Sequence, residues 1–166
     1  VLRGLRPWAF FALVTLACQI ALGGWVSTNY AALACTDFPT CHGAWLPSMD
    51  FNHGFHFLRE LGMTADGEPL SNDALNAIHW AHRIGALVVS VVIAITALKS
   101  LPIRALHSYG VAMLGLLLLQ VTLGVTNVLA SLPLPVAVAH NGVAALLLVT
   151  LVMLNFAVNS PATFRR

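Results

Sequence analysis

Four long apolar runs, separated by short breaks and by one long polar stretch, organise the chain. They cover residues 8–29, 74–98, 105–132 and 136–158. A helix needs about 20 apolar residues to cross a bilayer core, and each run is long enough. Pro102 separates the second run from the third, and Pro133 and Pro135 separate the third from the fourth. Proline removes a helical N–H and clashes with the preceding turn, so both places are natural stops. The pattern predicts an all-α integral membrane four-helix bundle, one domain over residues 1–166, with an outer loop at 30–73. The first run lacks a small-residue cleavage site followed by a soluble domain, so it reads as a retained helix rather than a signal peptide. The chain does not begin with Met, which fits a processed chain or a fragment.

The runs repeat in pairs. QIALG at 19–23 matches QVTLG at 120–124, and HRIGALV at 82–88 stands beside HNGVAAL at 140–146. Aliphatic matches between apolar helices carry little weight. The polar anchors carry more: one Gln and one His per pair, at like depths. The bundle is therefore expected to consist of two repeated helical hairpins with pseudo-twofold symmetry.

Composition agrees with this picture. Hydrophobic residues make up 58% of the 166 positions and charged residues 8%, against about 25% charged in a soluble domain. The net charge is +2 and no basic run suggests a nucleic-acid partner. The distribution of charge says more than its sum. All 6 acids (Asp37, Asp50, Glu60, Asp66, Glu68 and Asp73) lie between the first and second runs, with Arg59 as the only base there. Of the 8 bases, Arg3, Arg6, Lys99, Arg104, Arg165 and Arg166 lie at the opposite ends. Lys and Arg gather on the cytoplasmic side of a membrane. Both termini are therefore expected inside, and the 30–73 loop outside. Within that loop Phe51, Phe55 and Leu58 recur at helical spacing. They suit a short helix on the membrane surface, or simple loop packing. Trp25 and Trp45 suit the interface belt or the same packing. MTADGEPLSND, residues 63–73, is turn-rich and expected to be the most mobile part.

Ionisable residues inside a membrane are costly and usually functional. His82 and His140 each lie one to two turns in from the outer end of a helix, and both those helices run inward. Placed across the bundle from one another, their imidazoles can hold a flat ligand between them. Bis-histidine ligation of haem iron needs that arrangement. The alternative is that each histidine bonds to a neighbouring helix. Arg83 either snorkels to the interface or pairs with a haem propionate. His79 lies one turn outward from His82. It is a supporting neighbour, a propionate partner, or the ligand in place of His82. Gln19 and Gln120 are expected to bond between helices. His107, beside the inner turn, is expected to be solvated.

Cys35 and Cys41 flank TDFPT in the outer loop. An oxidising compartment favours a disulfide, acting as a staple or as a redox-active pair. A metal site of Cys41, His42, His53 and His56 is a weaker alternative, since its spacing matches no strong zinc signature. Cys18 is expected to be an inert core residue.

One family carries these motifs in this order. LGGWVSTNYAALACTDFPTCHGAW at 22–45, HRIGALVV at 82–89, QVTLGVTNVL at 120–129 and then His140 resemble haem A synthase, over nearly the whole chain. The resemblance implies a bacterial inner-membrane enzyme of cytochrome oxidase assembly, with the 30–73 loop periplasmic or extracellular. That family oxidises a methyl group of haem O to the formyl group of haem A, with water as the oxygen source. Its usual form has two similar four-helix halves, each giving two His to a haem; one half holds the substrate and the other a haem b. Carried over, His82 and His140 are axial ligands and Cys35–Cys41 is the loop disulfide. The chain departs from the pattern in having one half, and in having His79 where the family's catalytic half has Glu in a Glu-x-x-His-Arg motif. It thus resembles the C-terminal, haem-b-binding half. Completing the oxidation would need a second four-helix half or a second copy, and an electron acceptor.

Other classes fit part of the same pattern. A membrane b-type cytochrome exchanging electrons with quinone would carry the same histidine pair. A quinone-linked thiol oxidoreductase would need a second exchanging cysteine pair outside the membrane. A structural subunit would bind no cofactor.

Overall fold

The computed structural model describes residues 2–160. Helix α1 spans Leu2–Thr28, followed by one 3-10 turn at Ala31–Leu33 and a one-turn helix α2 at Phe51–Gly54. Then come α3, Asn72–Ser100, α4, His107–Leu129, and α5, Leu134–Asn159. α1, α3, α4 and α5 are the 4 helices long and apolar enough to cross a membrane among the described residues.

The helix ends follow local chemistry. Ser71 caps α3, its hydroxyl accepting from the Ala74 N–H at 3.2 Å. Asp73 in the first turn and Lys99 in the last complement the helix dipole. Pro133 caps α5 and Pro135 sits in its first turn, where a missing N–H costs no helical bond. α4 stops at Leu129, three residues short of the apolar run. There Ser131 and Leu132 turn left-handed, with φ of 58° and 61°, and the Leu132 N–H bonds back to the Asn127 carbonyl at 2.7 Å. That closure satisfies the last carbonyls of the helix. α1 begins earlier than the apolar run and carries Pro7 inside it. Pro7 lies in the second turn, where its missing N–H costs the helical bond to the Arg3 carbonyl, yet the helix is continuous from residue 2.

The helices form a ring: α1 packs on α3 and α5, and α4 packs on the same two. The hairpins are thus α1–α3 and α4–α5, and α3 and α5 stand on one diagonal. The inner half of the bundle is closed by Leu16, Ile93, Met113, Leu147, Leu151 and Leu154, all buried. In lipid this packing rests on shape and close approach rather than on expulsion of water. Gly110 illustrates it: a Cβ there would lie 2.9 Å from the Ala97 carbonyl oxygen. Polar ties reinforce the inner end, with the Asn155 amide donating to the Ala9 carbonyl at 2.9 Å and Arg6 Nε to the Val158 carbonyl at 3.0 Å.

The outer loop packs as a cap. Val26, Ala31, Leu70, Ala74 and Ile78 form a second buried cluster joining it to α1 and α3. The spacing of Phe51, Phe55 and Leu58 suggests a longer surface helix than the one observed. The Gly54 carbonyl explains the difference. It accepts from Trp25 Nε1 at 3.0 Å and from Arg59 Nη2 at 3.3 Å, so it is withdrawn from a further helical turn. Gly54 is also pressed on α3, where a Cβ would meet the Ala74 carbonyl at 2.9 Å. Trp25 therefore belongs to the loop packing, whereas Trp45 is 67% exposed. Residues 63–69 close as a tight turn, with an antiparallel bridge between Met63 and Pro69.

Candidate functional site

Above the closed inner core, each hairpin builds the same three-residue unit. In the first, Gln19 Nε2 lies 3.0 Å from His82 Nδ1 and donates to the His82 carbonyl at 2.9 Å. Gly23, one turn further along α1, lets the imidazole lie against the helix: a Cβ there would stand 3.2 Å from His82 Cε1. In the second, Gln120 Nε2 lies 3.2 Å from His140 Nε2. Gly124 makes the matching slot, with a Cβ falling 3.1 Å from His140 Cε1. Residues i and i+4 share a helix face, so Gln-x-x-x-Gly presents one hydrogen-bonding group and one gap to the same ring.

The units sit on α3 and α5, the diagonal pair. Both histidines are half-buried. Three polar atoms here are buried without a partner: Gln19 Oε1, Gln120 Oε1 and His140 Nδ1. Unpaired polar atoms are expensive in a membrane, where no bulk water compensates them. Clustered around two imidazoles, they mark a site with unmet bonding capacity.

His79 is buried at 4% exposure, and its Nδ1 donates to the Ala31 carbonyl at 2.9 Å. Carbonyls only accept, so this bond fixes the proton on Nδ1. Arg83 reaches into the loop. Its Nη1 donates to the Thr40 carbonyl at 2.8 Å, and its Nη2 to the Cys35 and Asp37 carbonyls at 3.0 and 2.8 Å. Its Nε is buried and unpartnered. All three acceptors lie in the segment closed by the Cys35–Cys41 disulfide, whose two cysteines are fully buried.

Asp37, which sequence reasoning does not single out, organises that segment. Its carboxylate accepts from Thr40 Oγ1 at 2.6 Å and from the His42 and Gly43 N–H groups at 2.7 and 2.9 Å. These bonds, Thr40 foremost, hold its carboxyl far below the ordinary carboxylate range. The signal was present in the sequence, since Asp is a common turn former whose side chain bonds nearby backbone N–H groups.

Other expected features are not gathered into a site. No group of three or more His, Cys, Asp or Glu suited to a metal ion occurs among the described residues. His53 Nδ1 pairs instead with Asp50 at 2.6 Å, and the bond from the His53 N–H, followed by that contact, holds the Asp50 carboxyl low. His42 lies 3.3 Å from the Asn76 amide oxygen, and His56 is exposed. Cys18 is not a core residue: it is exposed on the outer face of α1, because the inward face at that level is taken by Leu16 and Gln19. His107 is exposed and bonds the Leu101 carbonyl at 2.8 Å.

Fold and site define a class: a multi-pass membrane protein with a matched histidine pair on the diagonal helices of a four-helix bundle. The cytochrome oxidase assembly protein family matches residues 1–152, and the chain belongs to that family. It is 42% identical over 154 residues to a protein of Shewanella oneidensis named Heme A synthase, covering 93% of this chain and 47% of that one. A Heme A synthase of a Caulobacter species is 30% identical over 161 residues, with 94% and 43% covered. One of Paracoccus denitrificans is 32% identical over 139 residues, with 81% and 33% covered. The chain spans less than half the length of these curated relatives. No solved structure matches it.

Proposed function

We propose that this chain is the haem-b-binding four-helix half of a haem A synthase. The observation that carries the reading is the repeated Gln–Gly–His unit on opposed helices, with ring and amide atoms left buried and unpaired. The donor set fits the group. Two neutral imidazoles on rigid helices are a common axial pair for low-spin haem, and glycine slots let each ring approach the neighbouring helix closely. His82 and His140 would be the axial ligands. Arg83 and His79 stand beside them as groups suited to the carboxylates of the macrocycle. Nε of Arg83 is the one nitrogen of its fork not committed to the loop. Bound there, the haem would supply one-electron transfer. The protein's own part is to orient the two rings, exclude water through the inner core, and cover the outer end with a loop clamped by Arg83.

The conversion of haem O to haem A belongs to the whole enzyme on this reading. Among the four long helices the only acid is Asp73, in the first turn of α3, and it accepts from Ser48 Oγ at 2.7 Å. His79 stands where an acid would serve as a buried base. The reaction would therefore need a second four-helix half, or a second copy, and an electron acceptor. The termini would face the cytoplasm and the 30–73 loop the periplasm or exterior. The full burial of Cys35 and Cys41 favours a staple over an exchanging pair.

A membrane b-type cytochrome shares the same bundle and site, and the absence of a buried acid favours it as the second reading. The two separate in a host lacking haem A synthase. Co-expression with a catalytic half restores haem A on the first reading only. For the site itself, a pyridine haemochrome spectrum of the purified chain is expected to identify haem b, and the native visible spectrum to show low-spin bands. His82→Ala and His140→Ala should each abolish those bands; their persistence in both single variants would sink the ligand assignment.

A further inference from the structure

A histidine that gives one ring nitrogen to a metal carries its proton on the other, and that N–H needs an acceptor. Each hairpin supplies one candidate at the ring. The carboxamide of Gln19 touches His82 and that of Gln120 touches His140, and in both the Oε1 is buried with no partner. An amide oxygen and nitrogen exchange places by a half-turn of the terminal group. At Gln120 this exchange breaks no other bond. At Gln19 it gives up the bond from Nε2 to the His82 carbonyl, and the side chain must also swing off that oxygen so that two acceptors do not face each other.

We propose that Gln19 and Gln120 are positioning residues, each accepting the ring proton of its histidine and fixing the ring plane against the facing glycine. The inference rests on the haem-ligand reading of His82 and His140. It accounts for three features at once: the depth of the two glutamines, their partnerless oxygens, and the glycine one turn further along. Gln19 and Gln120 touch neither the iron nor a substrate in this role. They act through the imidazoles, whose donor strength rises as the N–H is accepted more strongly.

The test uses the purified full chain in two readouts. With haem, Gln120→Met, which removes the acceptor at similar volume, is expected to raise the midpoint potential and change the low-spin g values. Gln120→Glu, which keeps an acceptor, is expected to move the potential the other way. Without haem, nitrogen-15 spectra of labelled histidine report the ring tautomer directly, and Gln120→Met is expected to shift the His140 ring nitrogens. Gln19→Met should do the same at His82. Should Gln120→Met fail to take up haem, Gln120→Glu must retain it, and loss in both would overturn the proposal. Unchanged potential, g values and ring-nitrogen shifts in both Met variants would overturn it as well. If the wild-type chain takes up no haem, the ligand reading fails, and the ring-nitrogen shifts alone decide the glutamine contacts.

Discussion

Gly23 and Gly124 act by what they lack. Each leaves a gap of one methyl group against an imidazole edge, and in both a glutamine one turn away on the same helix face touches the same ring. Gly124→Ala would set a carbon 3.1 Å from His140 Cε1, closer than ordinary contact, so the ring must shift from its hydrogen bond. Overpacking of this kind costs about 1–3 kcal/mol. Gly142, also on α5, has nothing within 4 Å of a built Cβ and serves as the control. Thermal unfolding in detergent is expected to show Gly124→Ala less stable than Gly142→Ala, which gains helix propensity without a clash; equal behaviour would refute the slot. At this scale the sequence is legible in part. His82, His140 and the two glutamines stand out because polar atoms are rare at those depths. Arg83 does not reveal its role, because its three acceptors lie 43 to 48 residues away and meet it only once the loop has closed.

The element that most depends on such distant partners is the outer loop. Asp37 gathers residues 40–43 about its carboxylate, Arg83 holds the carbonyls of residues 35, 37 and 40, and the disulfide joins the two ends. The pKa of Asp37 is depressed on folding, so its contribution is fully present above its ordinary value of 3.8. It is lost only as pH falls through the much lower folded value. The His42 and Gly43 amides are therefore expected to stay protected from hydrogen exchange down to that ordinary value. In Asp37→Ala they should exchange freely at every pH. Protection that vanishes in the wild type well above 3.8 would contradict the assignment. Helix lengths were readable from the apolar runs to within a few residues in α3 and α5. Around Phe51, Phe55 and Leu58 both expected forms occur: a single helical turn, α2, and then loop packing, where a tryptophan and an arginine take the carbonyl that a longer helix needs.

For the molecule as a whole, architecture was the most legible property. Four spans, prolines at the breaks and a one-sided distribution of charge leave few alternatives for a chain that must satisfy its backbone inside lipid. The ring order of the helices, and hence the diagonal placement of the two histidines, needed the packing itself. Sidedness has a direct check. Leu46 is 77% exposed in the outer loop, and a Leu46→Cys variant is expected to react with a membrane-impermeant maleimide in intact cells. Labelling that requires lysis would reverse the topology. The uneven filling of the bundle has a consequence for transport of charge. Leucine, isoleucine and methionine plug the inner half, so it behaves as an insulator beneath the histidines. On the haem-ligand reading proposed above, an electron exchanged at that level would leave toward the loop end and cross little of the membrane's voltage. On that reading the bundle would be a one-ended electrode well, with the Arg83-clamped loop as its lid.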